Sequence, residues 1–286
     1  MSYNSLVNQE EKICWGGKWM STQVIIVLIL TVIISIIATL AYSVRIVGVK
    51  TGRIAIASAV FSIFALISRT ANSIQAPLLS KKIENTILIG NAENLLYIFR
   101  WILFATTVAT IIGALLMPTF IKILGKAVES FSVNRSIPKL LLHGFSKTGI
   151  EQFKSSVTKP SRENLSHLKD FKMMPKKIIL INTLAFSALT VGSLASLYAG
   201  CLNPVLRSTC SNLTSVITGI ATLLMVIFVD PYVSMLTDDV IKGKCTEFQF
   251  NRCIIFIVGG LIVGTISAQF LLVPAAQAIS FIAKII

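Results

Sequence analysis

The sequence predicts an all-α membrane protein of about six transmembrane helices, arranged as two inverted three-helix repeats. Composition comes first. Of 286 residues, 54% are hydrophobic and 13% charged, with a mean hydropathy of +0.80. A soluble domain keeps about a quarter of its residues charged to face water. Uncharged runs come second. Residues 19–44, 101–121, 178–206, 208–229 and 253–283 contain no Asp, Glu, Lys, Arg or His, and 54–80 contain only Arg69. Each run exceeds the roughly 20 residues a helix needs to cross about 30 Å of hydrocarbon. Third, Thr39-Leu40-Ala41-Tyr42-Ser43, with Gly48 beyond it, recurs as Thr183-Leu184-Ala185-Phe186-Ser187 with Gly192. Pro77 and Pro118 similarly match Pro231 and Pro274. An odd number of spans per half opposes the two copies, which is the inverted plan of many transporters, with a cavity expected among spans one, two, four and five.

Residues 1–19 are polar with mixed charge, and the apolar run after them is too long for a cleavable signal peptide, so a retained first helix is expected. Residues 20–123 hold spans one to three. Span one ends in the basic turn from Arg45 to Arg53, span two in the polar string Ser68 to Pro77, and span three carries Arg100 at its entrance and Pro118 within. Residues 124–177 form a basic linker in which Leu141, Phe145, Phe153 and Val157 recur at near-helical spacing among lysines. Such a segment lies flat on an anionic membrane or serves as a tether. Residues 178–286 hold spans four to six.

The charge of +14 is unevenly spread. The loops after spans one, three and five carry 17 Lys and Arg, whereas the opposite side carries Lys12, Lys18, Lys81, Lys82, Arg207 and Lys284. Cytoplasmic loops concentrate Lys and Arg, so both termini are expected outside and the linker inside. Basic loops facing anionic lipid account for the charge, and no nucleic-acid partner is expected without a domain to bind one. Self-association into a homo-oligomer is compatible with the chain. Cys201 and Cys210 share the loop between spans four and five. An oxidising exterior would allow a disulfide there, and two free thiols are the alternative.

Arg69 is the sharpest chemical signal. An Arg near mid-span costs about 2.5–3.5 kcal/mol on insertion scales and faces a bundle interior or a wet cavity. Asn72 and Ser73 follow it on the same helical stripe, with Gln75 close by. Its planar donor fork suits phosphate, so an anionic headgroup or a buried carboxylate is the expected partner. Asp230 is the one acid that interrupts a predicted span. It is a counter-ion for Arg69, a proton or cation site, or the interfacial end of a shorter span five. Arg45, Arg53 and Arg100 lie near predicted interfaces, individually as snorkelling anchors and together as a phosphate pathway.

Several classes are disfavoured. Lys242-Gly243-Lys244-Cys245 lacks the leading glycine and hydroxyl residue of a phosphate-binding loop, so no ATP motor is encoded. His143 and His167 both fall in the linker, and no cysteine spacing suits a metal, so no cofactor and no enzyme chemistry is expected.

The strings Thr39 to Arg45, Thr51-Gly52-Arg53 and Ser68 to Leu78 resemble the Amj family, the lipid II flippases known as the alternate to MurJ. The resemblance runs from about residue 22 to the end. It implies a multi-pass bacterial plasma-membrane protein that translocates undecaprenyl-diphosphate-linked peptidoglycan precursor, with lipid II as partner. It implies no residue-level mechanism. Arg69, Asn72, Ser73, Gln75, Arg45, Arg53 and Arg100 as substrate-binding groups, and Asp230 as a coupling group, are readings of the residues themselves. An ion-coupled carrier of a small solute and a scaffold for envelope enzymes are the other readings.

Overall fold

A computed structural model describes residues 12–15, 18–88, 92–134 and 176–286. Among these, six helices are long and apolar enough to cross a membrane. They are α1 (Thr22–Thr51), α2 (Ile54–Leu88), α3 (Ala92–Asn134), α4 (Lys176–Leu202), a fifth span over Pro204–Ile241, and α7 (Glu247–Ile285). The fifth span is composite: a 3-10 turn at Pro204–Leu206, α5 (Arg207–Leu224), a π-helical turn at Met225–Val229, and α6 (Asp230–Ile241). A short antiparallel hairpin, Lys12–Trp15 with Lys18–Ser21, precedes α1 inside the polar N-terminal segment. The amphipathic part of the linker lies outside the described residues, although α3 runs on to Asn134, past the expected end of span three.

Two turns close the helices on one face of the bundle, and both use the same chemistry. At the end of α1, Gly52 (φ 66°) donates to the Val49 carbonyl at 3.2 Å and Arg53 to the Gly48 carbonyl at 3.1 Å. At the end of α6, Gly243 (φ 69°) donates to Val240 at 3.0 Å and Lys244 to Asp239 at 2.8 Å. Each is a Schellman cap, which needs a residue in the left-handed region and so selects glycine. α7 then restarts at once on a capping box between Thr246 and Gln249. Arg53 donates to the Val128 carbonyl at 3.1 Å, which ties the first turn to the far end of α3 on that same face.

Packing repeats between the halves. α1 lies along both α2 and α3, which hardly touch one another; α4 lies along both α5 and α7, which also barely meet. The repeated strings do the same job twice. A Cβ on Gly113 of α3 would come within 2.9 Å of Thr39, and one on Gly260 of α7 within 2.8 Å of the Thr183 hydroxyl. Gly48 similarly seats α2 through Ala57 at 2.9 Å, and Gly192 seats α5 through Ile217 at 3.1 Å. In each half the motif threonine meets the third helix and the motif glycine meets the second. Small residues allow this approach where lipid offers no hydrophobic drive, so dispersion and hydrogen bonds must hold the helices. The prolines are less well matched: Gly113 precedes Pro118 by five residues, but Gly260 precedes Pro274 by fourteen.

Small polar residues on α1 form a ladder that is satisfied within the helix. Thr31, Ser35 and Thr39 donate to the carbonyls of Val27, Thr31 and Ser35 at 2.8, 2.7 and 2.8 Å. Asn182 of α4 crosses to α7, donating to the Ile257 carbonyl at 3.0 Å. Leu95, Phe99, Ile102 and Leu103 of α3 pack with Ala268, Leu272, Ala276 and Ile279 of α7 toward the face that carries the α2–α3 and α4–α5 connections. Val229 and Val233 pack with Ile254, Ile257 and Val258 nearer the Schellman turns. α2 and the fifth span are the least buried of the six and present apolar side chains outward, as lipid-facing helices do.

The two faces give a direct test of orientation. Val205 is 96% exposed in the α4–α5 connection, and Gly243 is exposed in the α6–α7 turn. With native cysteines replaced by serine, an impermeant thiol reagent applied to intact cells is expected to label Val205→Cys. Gly243→Cys should label only after permeabilisation, because the excess Lys and Arg keeps that face inside. The reverse pattern would overturn the orientation.

Candidate functional site

The residues that the sequence singles out separate into three groups. Arg45 and Asp230 come together: Nη2 of Arg45 donates to Oδ1 of Asp230 at 2.6 Å, across 185 residues of chain. Arg45 sits near the end of α1, and Asp230 opens α6 directly after the π-helical turn. A π turn adds a residue to the helical circuit and rotates the rest of the helix, a feature frequent at functional sites. Here it delivers the one mid-span acid to α1. Asp230 therefore pairs with Arg45; the sequence had offered Arg69 as a counter-ion in one of three readings of this acid. The contact itself decides this: the π-helical turn at Met225–Val229 sets the side of the fifth span on which Asp230 stands, and there it meets the guanidinium of α1.

Arg45 has a second neighbour on the other side. Its guanidinium carbon lies 5.5 Å from the centroid of the Phe61 ring on α2. Such a cation–π contact contributes about 0.5–1 kcal/mol at partly exposed sites and keeps a guanidinium planar against its support. Tyr42, one turn earlier on α1, lies beside both charges. The pair is only partly screened from solvent, with side-chain exposures of 24% and 44%. An ion pair so exposed adds up to about 1 kcal/mol to folding, so stability alone is a weak reason to keep it.

A cavity of about 280 Å³ opens beside this pair. Arg45, Val44 and Gly48 of α1 form one wall, Ala57, Ser58, Phe61 and Ser62 of α2 another, and Ser234, Thr237 and Asp238 of α6 the third. It is thus a cleft between the first and second halves, on the face of the Schellman turns. Spans one, two and five line it; span four, expected to contribute, does not. Its hydroxyls were not recognised from sequence, although Ser58 and Ser62 stand four residues apart in an apolar run, the helical spacing that marks one face.

Arg69 follows Ser58 and Ser62 on the same register of α2, eleven and seven residues on. Its side chain, and that of Ser73, lie outside the described residues. Of the flanking pair, Asn72 is exposed, while Gln75 Nε2 donates to the Thr31 hydroxyl of α1 at 2.8 Å. The cleft wall on α2 thus ends at Ser62, and further along the helix Gln75 joins α2 to α1. Arg53 is placed apart from the cleft, on α3. Arg100 is at the start of α3, on the opposite face, where its carbonyl accepts from Gln269 at 3.0 Å. Among the described residues, Arg45 lines the cleft and Arg53 and Arg100 do not.

The opposite face has its own bridge between halves. Arg207 Nη2 at the start of α5 donates to Glu84 Oε1 near the end of α2 at 2.9 Å. Asn203 also donates to the Ser280 hydroxyl there. Cys201 and Cys210, on either side of this connection, are free and buried rather than bonded. Cys201 Sγ turns back to the Leu197 carbonyl of its own helix at 3.3 Å. Together the two ion pairs leave the halves joined by charge at both ends, with the cleft open to one.

Comparison with known proteins bears on what passes through such a cleft. A family model described as Amj, Alternate to MurJ, matches residues 30–283. The chain is 35% identical over 271 residues to a Bacillus subtilis (strain 168) protein named lipid II flippase Amj, covering 92% of this chain and 98% of that one. No solved structure matches.

Proposed function

The chain belongs to the Amj family, and from that premise we infer that it is a lipid II flippase of the bacterial plasma membrane. It moves a polyprenyl-diphosphate-linked cell-wall precursor from the cytoplasmic to the outer leaflet. The observation that carries this reading is identity along nearly the whole length of a lipid II flippase. The activity is transport, in which no bond is made or broken.

The geometry supports a division of labour. Cytoplasmic basic loops concentrate an anionic headgroup at the side on which the cleft opens. Arg45 receives the diphosphate there, since a guanidinium offers several donors and only one is engaged by Asp230. The hydroxyls of Ser58 and Ser234 line the same cleft and can donate to phosphate oxygens, while those of Ser62 and Thr237 would first leave the Ser58 and Val233 carbonyls of their own helices. Arg69, further along the register of α2, takes the headgroup toward mid-membrane, while the polyprenyl tail remains in lipid beside the poorly buried α2 and fifth span. Rocking of the halves then opens the two inter-half ion pairs in turn, Arg45–Asp230 for loading and Arg207–Glu84 for release.

Reconstitution into liposomes with labelled lipid II, read by leaflet accessibility, tests the assignment. The protein is expected to equilibrate lipid II across the bilayer, and Arg69→Ala to abolish this at normal protein content. Arg69→Lys should restore part of the rate, because the ammonium keeps the charge but loses the planar fork. No flipping by the unaltered protein would refute the function, and full flipping by Arg69→Ala would refute the role of Arg69.

A further inference from the structure

The cleft beside Arg45 takes its walls from three helices, and two of them turn an unusual face to it. α2 buries Val60 in a cluster with Val47 of α1 and Leu124 of α3, while Ser58 and Ser62 line the cleft. α6 buries Val233 with Phe250 and Ile254 of α7, while Ser234 and Thr237 line the cleft. Each helix therefore spends its apolar face on packing elsewhere and presents hydroxyls to the other helix. Among the described residues α2 and α6 hardly touch one another. Ser58, Ser62 and Ser234 are exposed, and so are apolar side chains close to them in the chain, Leu66 and Ile67 on α2 and Met235 on α6. We propose that the gap between α2 and α6 is a lateral entrance, by which an isoprenyl diphosphate passes from the cytoplasmic leaflet to Arg45 with its chain left in lipid. This rests on the flippase reading above and adds to it the route and the two helices that recognise the junction of head and chain.

The ligand demands two environments at once. Every methylene drawn from hydrocarbon into water is unfavourable, so a chain of many isoprene units does not follow its head through an aqueous mouth. A diphosphate, in turn, does not move through hydrocarbon without donors around it. A gap between two lipid-facing helices, with hydroxyls on its walls and apolar side chains beside them, meets both demands in one place. Ser58 reaches the head from one wall and Ser234 from the other, and Arg45 on α1 stands at the back with its guanidinium against the Phe61 ring. The chain then lies along exposed Leu66, Ile67 and Met235.

Photolabelling tests the route without requiring transport. The purified full chain in vesicles of phosphatidylglycerol and phosphatidylethanolamine is illuminated with a polyprenyl diphosphate that carries a diazirine near its head. Adducts should concentrate on α2 and α6, and unlabelled undecaprenyl diphosphate should compete for them. A polyprenol with the same diazirine and no phosphate should spread over the lipid-facing helices without this preference. Arg45→Ala should lower labelling of α2 and α6 about tenfold, through loss of charge-assisted hydrogen bonds to the head. The same pattern from the diphosphate and the polyprenol, or labelling indifferent to Arg45→Ala, overturns the entrance.

A link across the gap gives a second readout. In a chain whose native cysteines are serine, Ser62→Cys and Ser234→Cys are joined by a cleavable bifunctional thiol reagent. Joining should remove both the preference for α2 and α6 and the flipping of labelled lipid II, and cleavage should restore both. A joined protein that still flips overturns the proposal. So does one that stops flipping yet keeps the labelling pattern, because the link then blocks motion of the halves and not entry. Should the double variant be inactive before joining, photolabelling of the unaltered chain decides. Failure of the unaltered chain to flip lipid II refutes the flippase reading, whereas flipping without preferential labelling of α2 and α6 sinks the entrance alone.

Discussion

Arg45→Ala is expected to slow lipid II flipping by about ten- to hundredfold while leaving most of the protein folded. The magnitude comes from the loss of charge-assisted hydrogen bonds to the headgroup, about 1.5–3 kcal/mol, at 1.4 kcal/mol per factor of ten. Stability should change much less, because the Arg45–Asp230 pair is partly open to solvent and such pairs contribute up to about 1 kcal/mol. The two quantities therefore separate. Arg45→Lys should recover part of the rate, and Asp230→Ala should loosen the loading gate rather than abolish binding. In the double change, abundance should return toward that of the unaltered chain, since no unpaired charge remains. Rates per protein in liposomes and thermal unfolding of the same four variants check this. A slow Arg45→Ala with an equally large loss of stability would mean that Arg45 is structural.

Gly264→Val carries the largest expected effect on the fold. Even a single Cβ at this position meets the Thr183 carbonyl oxygen at 3.0 Å and the Ser187 amide nitrogen at 3.3 Å. Both atoms are α4 backbone, so neither can rotate away, and the helices must separate. Overpacking of this kind costs about 1–3 kcal/mol, and valine adds two methyl groups to it. Gly259→Val, one turn away and with open space around it, is the control. The first variant should lose abundance and melt several degrees lower by the usual scaling of stability with transition temperature, and the second should change little. Equal behaviour of the two would show that α4 and α7 do not meet in close backbone contact at this seam.

How much of this was legible beforehand depends on whether the property is local. Six spans and their helical state were readable because hydrocarbon tests each segment on its own: an apolar run of sufficient length must satisfy its backbone internally wherever it sits. The repeated Thr-Leu-Ala strings were readable too, and packing gave them a meaning, since Thr39 and Thr183 each meet a glycine of the third helix in their half. Proline spacing misled slightly, because a proline in a membrane helix is tolerated at many depths. The partner of Asp230 was beyond sequence. Arg69 and Arg45 are both arginines in or beside apolar runs, and the pairing with Arg45 depends on how α1 packs near α6 and on the turn added at Met225–Val229. Charge strength falls with separation, so an ion pair is decided by ångströms that composition does not contain. Hydropathy by itself determined that this chain spans the membrane and which segments do so. Only the tertiary arrangement decided that Arg45, paired with Asp230, shares one cleft with a row of hydroxyls, because these residues come from α1, α2 and α6, which lie far apart in the chain.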